Sequence, residues 1–503
     1  MSLSILLLTV AMQAGAAVQP VAPVGDDYDD FLKKSQSDYT KFLKDSEERY
    51  VSFRDSANAV YEDFMRQPWK PIKFQPPKPR PRIVEPKPDP VTIKEDDFRR
   101  RGAHRVAIDT VVVPSPHPSP EPPSPITPDP DLSRSVRKHK LLYYGTPIEV
   151  SVPSLDGFHL SGTAENNFAD GWKRLRTTPS VDNMLADCLA ARNSLQLPDW
   201  GYITLLDRAA DAVASPGTNE HALMLGFLLH QNGFKIRYAI DDSSRLHPLI
   251  ASEGTMYDRP GYAFDGLIYY AYTKPSSSVA RICDFDYPGS RAMRLTIDKA
   301  LQLAYAPGET RSVTAYGYPD FTVTLTVNKN LCDFFGDYPN ASPDRSPYSK
   351  WAIHGNTPAS PEVINQLYPA IRQHVKGKNQ LQAVNMLLKL AQTFPYGYDD
   401  KIWGHDRAFW MDESWQYPLS DCEDHAVNFT RMVRDILGLD TVLIYYPGHL
   451  SAAVAFTEGE PGGSYVIYGG RRYTVCDPTC QYGPIGYSGK YDNSQAVLIP
   501  LTR

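Results

Sequence analysis

Cysteine is scarce in this sequence, with six residues, at 188, 283, 332, 422, 476 and 480, spread through 503. That density cannot build a disulfide scaffold, so the fold must rest on apolar cores, and Cys188 and Cys332 read as small core residues. Long apolar runs are also few. Beyond the N-terminus no stretch reaches the roughly 18 uninterrupted apolar residues of a membrane span, and a soluble mature chain is expected. Net charge is only −6, and the basic clusters at 99–101 and 137–140 stay local, which argues against nucleic acid as a partner.

The first residues, MSLSILLLTVAMQAGAAVQP, hold a short apolar run followed by small residues suited to cleavage near Ala16 or Ala17. They read as a Sec-type signal peptide over 1–17, although no basic residue precedes the run. No cysteine follows to carry a lipid, so a periplasmic or secreted location is expected. From 26 to 66 apolar residues recur in steps of four and three (Leu32, Tyr39, Leu43, Tyr50, Phe53, Ala57, Val60, Phe64), the stripe of an amphipathic helix. Gln36 and Ser46 interrupt the seam. A helix laid on a partner or on the body of the same chain therefore fits better than a coiled coil. Eighteen of the 44 prolines then fall between Pro68 and Pro130, and the span 67–135 reads as a stiff polyproline tether. The helix or the tether would be the place to meet a cell-envelope partner.

With roughly 150 residues per domain as a guide, the rest of the chain suggests two domains. SPGTNEHALMLGFLLHQNGFKIRYAIDDSSRLHPLIA at 215–251 and LSDCEDHAVNFTRMVRDILGLDTVLIYYPGHLSAAVA at 419–455 share one layout: helix, glycine (Gly233 or Gly438), strand, turn, and a histidine opening another strand. Aligning His221 with His425 sets Thr218 opposite Cys422 and His247 close to His449, and ICDF at 282–285 echoes VCDP at 475–478. The expectation is a duplicated domain, 136–290 and 346–503, whose first copy has lost the thiol. Between them, 291–345 alternates apolar and polar residues between turns and reads as a small antiparallel β-unit joining the copies.

Ser420 or Asp421 can cap a helix that begins at Cys422, with Glu423 and Asp424 in its first turn and Ala426, Phe429, Met432, Val433, Ile436 and Leu437 on a buried face. Free amides at a helix N-terminus favour thiolate, as at many nucleophilic cysteines. The flanking acids oppose it, so a base or cation must offset them. His449, after the Pro447-Gly448 turn, is the candidate base, and Asp477, ending a hairpin turned at Gly469-Gly470, can orient its imidazole.

DCED opening a helix, followed by glycine, strand, histidine, hairpin and DPT, resembles the transglutaminase-like superfamily, in particular its bacterial cysteine proteinases. A W-x-x-P element precedes the cysteine in those proteins, and Trp415 to Pro418 match it here. The match covers about 379–500. It implies a papain-like α+β core with the nucleophile helix against an antiparallel sheet; with the duplication, helix and tether read above, the expected fold is α+β, two papain/transglutaminase-like domains (first degenerate) joined by a small antiparallel β-unit, preceded by an amphipathic helix and a Pro-rich linker. It also implies Cys422 as nucleophile, His449 as general base and acid, Asp477 as orienter, and a peptide or protein substrate. Ser420, where glycine is usual, and Leu450-Ser451 after the histidine depart from the pattern and bear on the substrate groove. By the same resemblance Asp421 and Glu423 could bind calcium, against the simpler reading as helix-capping acids. No other cofactor is required. Trp410 or Trp415 could offer an indole N–H to an oxyanion, against a packing role for either. Two further readings stay open: a zinc site of Cys422, His425, Cys476 and Cys480, the last two alternatively forming a local disulfide, and an inactive binding or scaffolding protein of the cell envelope.

Overall fold

The computed structural model describes residues 26–80, 90–91, 103–110, 137–489, 491 and 493–502. The expected signal peptide and most of the proline runs beyond Arg80 lie outside these residues. The chain divides into two compact units at Asn58–Ala59. The first holds most of a single helix, Asp26–Met65, on which Tyr39, Phe42 and Phe53 are exposed. Among the described residues no helix is long and apolar enough to cross a membrane.

The second unit is mixed α+β, and its strands gather into two large antiparallel-based sheets. The first is a near-closed six-stranded barrel in the order Lys70–Lys73, Val279–Ile282, Ile236–Asp241, Leu246–Ser252, Leu267–Ala271, Gly261–Phe264, every neighbour antiparallel. Gln75 closes it by donating its N–H to the Gly261 carbonyl at 2.8 Å. A barrel leaves few edge groups unpaired. The other sheet is a curled half-barrel in the order Ala103–Arg105, Gly463–Tyr468, Arg471–Cys476, His449–Val454, Thr441–Tyr446, Val497–Pro500, Asp109–Thr110.

The two sheets share a plan. In each, a helix (Asn219–Gln231 or Cys422–Met432) leads into a central hairpin. A second hairpin pairs with the outer strand of the first, and the last strand returns to pair with its inner strand. Gly233 (φ 77°) and Gly438 (φ 65°) take the left-handed conformation after the helices, as a C-terminal stop requires.

Three expectations change in the structure. The tether contributes strands: Lys70–Lys73 joins the barrel, and the short segment 103–110 pairs in parallel with both edges of the half-barrel. Val106 is buried there among Val442, Ile444, Val466 and Leu498. Strands this short have no periodicity to betray them, and the surrounding prolines masked them. Val106→Asp would bury an unpaired carboxylate and is expected to cost about 3 kcal/mol in urea unfolding. A cost below about 0.5 kcal/mol would mean that the segment does not hold the sheet.

The β-unit is smaller than expected and belongs elsewhere. Only Pro307–Thr314 and Thr322–Asn328 form a hairpin, and MRLTI and LQLAYA are not strands in it. Val323, Leu325 and Val327 share one core with Leu387, Trp415 and Phe429, so the hairpin is part of the second half. Finally, the helix Cys422–Met432 is buried all round rather than on one face. Helices Lys350–Asn356 and Gln380–Ala391 and the strand His449–Val454 enclose it.

Candidate active site

Cys422 is the first residue of its helix, after Asp421, whose N–H donates to Asp424 Oδ2 at 3.1 Å. Its backbone amide is therefore among those with no intrahelical acceptor. Two contacts fix the sulfur. The Leu450 N–H donates to Sγ at 3.4 Å, and the thiol donates to Glu423 Oε2 at 3.6 Å. Helix terminus and Leu450 favour negative charge on sulfur, and the neighbouring carboxylate opposes it.

His449 opens its strand because Pro447 and Gly448 (φ 83°) make the tight turn that pairs Tyr446 with His449. Its Nε2 is 2.8 Å from Asp477 Oδ2, and the next residue, Leu450, is the one that donates to the Cys422 sulfur. Asp477 follows directly on the strand Arg471–Cys476. Its Oδ1 accepts the N–H groups of Thr479 at 3.0 Å and Cys480 at 3.2 Å, and Tyr491 donates to Oδ2 at 3.3 Å. Burial pushes the Asp477 carboxyl up, but the His449 charge and hydrogen bond and the two amides outweigh it, and the net shift is downward. The Tyr491 ring lies flat on the imidazole, 4.2 Å between centroids. Cys422, His449 and Asp477 are 0%, 2% and 1% exposed, so the site is closed to solvent.

Around the sulfur lies a set of buried acids, Asp399, Asp406, Asp421, Glu423 and Asp424. Three overlapping groups bring ligand atoms within 4.8 Å of one another: Asp421, Cys422 and Glu423; Asp399, Asp421 and Asp424; Asp399, Asp406 and Glu423. The carboxylates in these groups are hard oxygen donors that could hold a divalent cation, while the Cys422 sulfur of the first group is a soft donor. Burial, opposed by the Arg407 N–H and reinforced by Asp406, lifts Asp399 to about 7. Burial, Asp399 and Glu423 lift Asp424 well above the usual carboxylate range. Lys350 reaches into this cluster, hydrogen-bonded to Asp406 and 4.0 Å from Glu423 Oε1.

The structure thus brings Cys422, His449, Asp477, Asp421 and Glu423 into one region. Trp410 spends its indole N–H on Thr357 Oγ1 at 3.0 Å and stacks on Phe335. Trp415 is fully buried in the core, edge-on to Phe394. Both tryptophans pack in this structure. All six cysteines are free, so Cys476 and Cys480 form no disulfide. Cys476 donates to the Thr474 carbonyl, His425 Nδ1 faces the Pro478 carbonyl, and neither these two nor Cys480 enters a convergent ligand group among the described residues.

Register corrects the alignment of the two halves. The Leu246 N–H donates to Asn219 Oδ1 at 2.9 Å, as the Leu450 N–H donates to Cys422 Sγ, and both acceptors are the first residues of their helices. Counting from those leucines along the paired strands (Leu249 with Ala271, Ala453 with Val475) sets Asn219 at the place of Cys422, Arg245 at that of His449 and Thr273 at that of Asp477. Thr218 is instead the helix cap, accepting from the His221 N–H. His247 sits two residues further along, bonded to Asp241 and Thr273. ICDF starts at the end of the strand Val279–Ile282, which pairs with Ile236–Asp241 and whose counterpart is Val497–Pro500, so its likeness to VCDP is a coincidence of letters.

Lys350, Arg407 and Tyr491 carry no signal in the sequence, because each reaches the site from an irregular segment or a short helix. Comparison of the chain with family models, with curated proteins and with solved structures finds no match.

Proposed function

We propose that the chain is an exported transglutaminase-like cysteine hydrolase, a peptidase or amidase, whose second half carries a Cys422-His449-Asp477 triad and whose first half is a copy without it. The observation that carries this reading is the Asp477-oriented imidazole beside the residue whose N–H holds the Cys422 sulfur. A hydrogen-bonded carboxylate on Nε2 leaves Nδ1 as the base, which is the order of roles in a nucleophilic triad.

In the reaction His449 Nδ1 takes the thiol proton as sulfur bonds to the acyl carbon of a peptide or glutamine-type amide. The oxyanion lies near the Cys422 backbone amide at the helix N-terminus. The C–N bond then breaks, and the imidazolium protonates the leaving amine. Water, deprotonated by the same nitrogen, cleaves the thioester and restores the thiol. Water is favoured over an amine as acceptor because no second amine-binding site is evident in the sequence. The absence of Cys, His and Asp at Asn219, Arg245 and Thr273 supports a purely structural role for the first half. The N-terminal helix, with its exposed aromatic residues, is the part suited to a cell-envelope partner.

A second reading, an inactive binding or scaffolding protein, draws on the closure of the site: all three residues are sealed from solvent and the thiol points to Glu423. A small activated ester separates the two. The hydrolase should accumulate a thioester on the peptide containing Cys422, detected by mass after acid quench, and Cys422→Ala should abolish it. Acylation confined to lysines, or equal in the Cys422→Ala variant, would favour the scaffold.

A further inference from the structure

The acids flanking Cys422 need a positive charge, and calcium and a side chain compete for that place. The segment Pro347–Asn356 folds a short turn and helix against the N-terminal half of the Cys422 helix, with Trp351 and Ala352 in one apolar cluster with Cys422, Ala426 and Leu450. Its Lys350 is 2% exposed and sits over the Trp351 ring at 4.7 Å. From there Nζ bonds Asp406 and faces Glu423 Oε1 at 4.0 Å, while the other oxygen of Glu423 takes the Cys422 thiol. The segment is anchored independently of the lysine: Arg431 of the Cys422 helix donates to the Asn356 carbonyl, and Arg434, just beyond that helix, donates to the Gly355 carbonyl.

A buried lysine is retained where its charge is matched, and a divalent ion at Glu423 would add repulsion against the ammonium already there. Asp421, Cys422 and Glu423 therefore do not make a free calcium cage: one of the three donors is already turned toward a built-in cation.

We propose that Lys350 is a positioning residue of the nucleophile, holding Glu423 as its counter-ion so that the acid beside Cys422 is balanced from within the chain and the thiol does not depend on a bound calcium ion. This rests on the hydrolase reading. Without the lysine, the Glu423 charge would act on the sulfur alone. With arginine, the charge would be kept.

The test is the rate at which a small electrophile modifies Cys422 at one fixed pH, read by peptide mass, with thermal melting alongside. Chelator-treated wild-type protein should keep its rate, and added calcium should leave it unchanged. Lys350→Met should lower the rate at least about tenfold and Lys350→Arg by less than about threefold, and Glu423→Gln added to Lys350→Met should restore most of the loss, which a general loss of packing would not allow. A Lys350→Met rate within about twofold of wild type at an unchanged melting temperature would overturn the proposal. So would chelated wild-type protein that loses its rate and regains it with calcium, an outcome that needs no variant to fold. Failure of the underlying reading looks different: Cys422 of the wild-type protein would react no faster than Cys480 and would ignore His449→Ala.

Discussion

Asp477→Asn is expected to slow acylation of Cys422 by a small activated ester about 10³- to 10⁴-fold while leaving the fold intact. The reason is a tautomer. Oδ1 of Asp477 serves the Thr479 and Cys480 amides, and an asparagine oxygen can keep that role. Its NH₂ then faces His449 Nε2, where the carboxylate accepted a proton at 2.8 Å. The imidazole must put its lone pair there and its proton on Nδ1, the nitrogen needed to deprotonate the thiol. Asp477→Ala goes further and leaves the buried imidazole, two amides and the half-buried Tyr491 hydroxyl without their acceptor, with an expected loss of about 3 to 5 kcal/mol of stability. The sign of the pH effect follows from the lowered carboxyl. Its stabilisation is present above the unfolded value of about 4 and is lost as pH falls through the folded one, so the alanine variant should lose part of its acid limb of unfolding. Acylation of the asparagine variant within about tenfold of wild type would remove Asp477 from the chemistry.

The second large effect is on stability in the opposite direction of pH. Asp412 is buried in the short helix Met411–Gln416, with the Ser360 hydroxyl donating to Oδ1 at 2.5 Å. Burial, only partly countered by that hydrogen bond, lifts its carboxyl to about 7. The folded protein therefore holds this proton more tightly than the unfolded chain. The stabilisation is complete below about pH 4 and is lost as pH rises through about 7, and three pKa units amount to roughly 4 kcal/mol. Urea unfolding across that window should show the decline, and Asp412→Asn should flatten it by a similar amount. A slope unchanged by the substitution would mean that Asp412 is ionised at no such cost.

The Cys422 helix was legible because its signals are local: acids in the first turn, apolar steps of three and four, and Gly438 at the end. His449 and Asp477 were legible for the same reason, each placed by a turn, Pro447-Gly448 or Gly469-Gly470, that fixes where a strand begins or ends. What surrounds them was not. Glu423, Asp424, Asn428, Thr430 and Arg431 lie off the apolar stripe, yet they are buried because helices from 350–356 and 380–391 cover them, and a polar face gives no hint of a polar partner far along the chain. The repeat was visible as a layout, but not to the residue: a shared histidine misplaced the alignment by one position at the helix and two at the strand, where only hydrogen-bond register could settle it. Strands of two to four residues among prolines left no pattern at all.

The most direct test of the account is the pH profile of alkylation at Cys422, with Cys188 and Cys480 of the same molecules as controls. A working dyad predicts that Cys422 reacts through a thiolate formed well below the free-cysteine value of about 8.5, and that His449→Ala abolishes this advantage. A thiol that reacts like the controls, with a profile unaffected by His449→Ala, would contradict the triad and leave the chain as a paired scaffold.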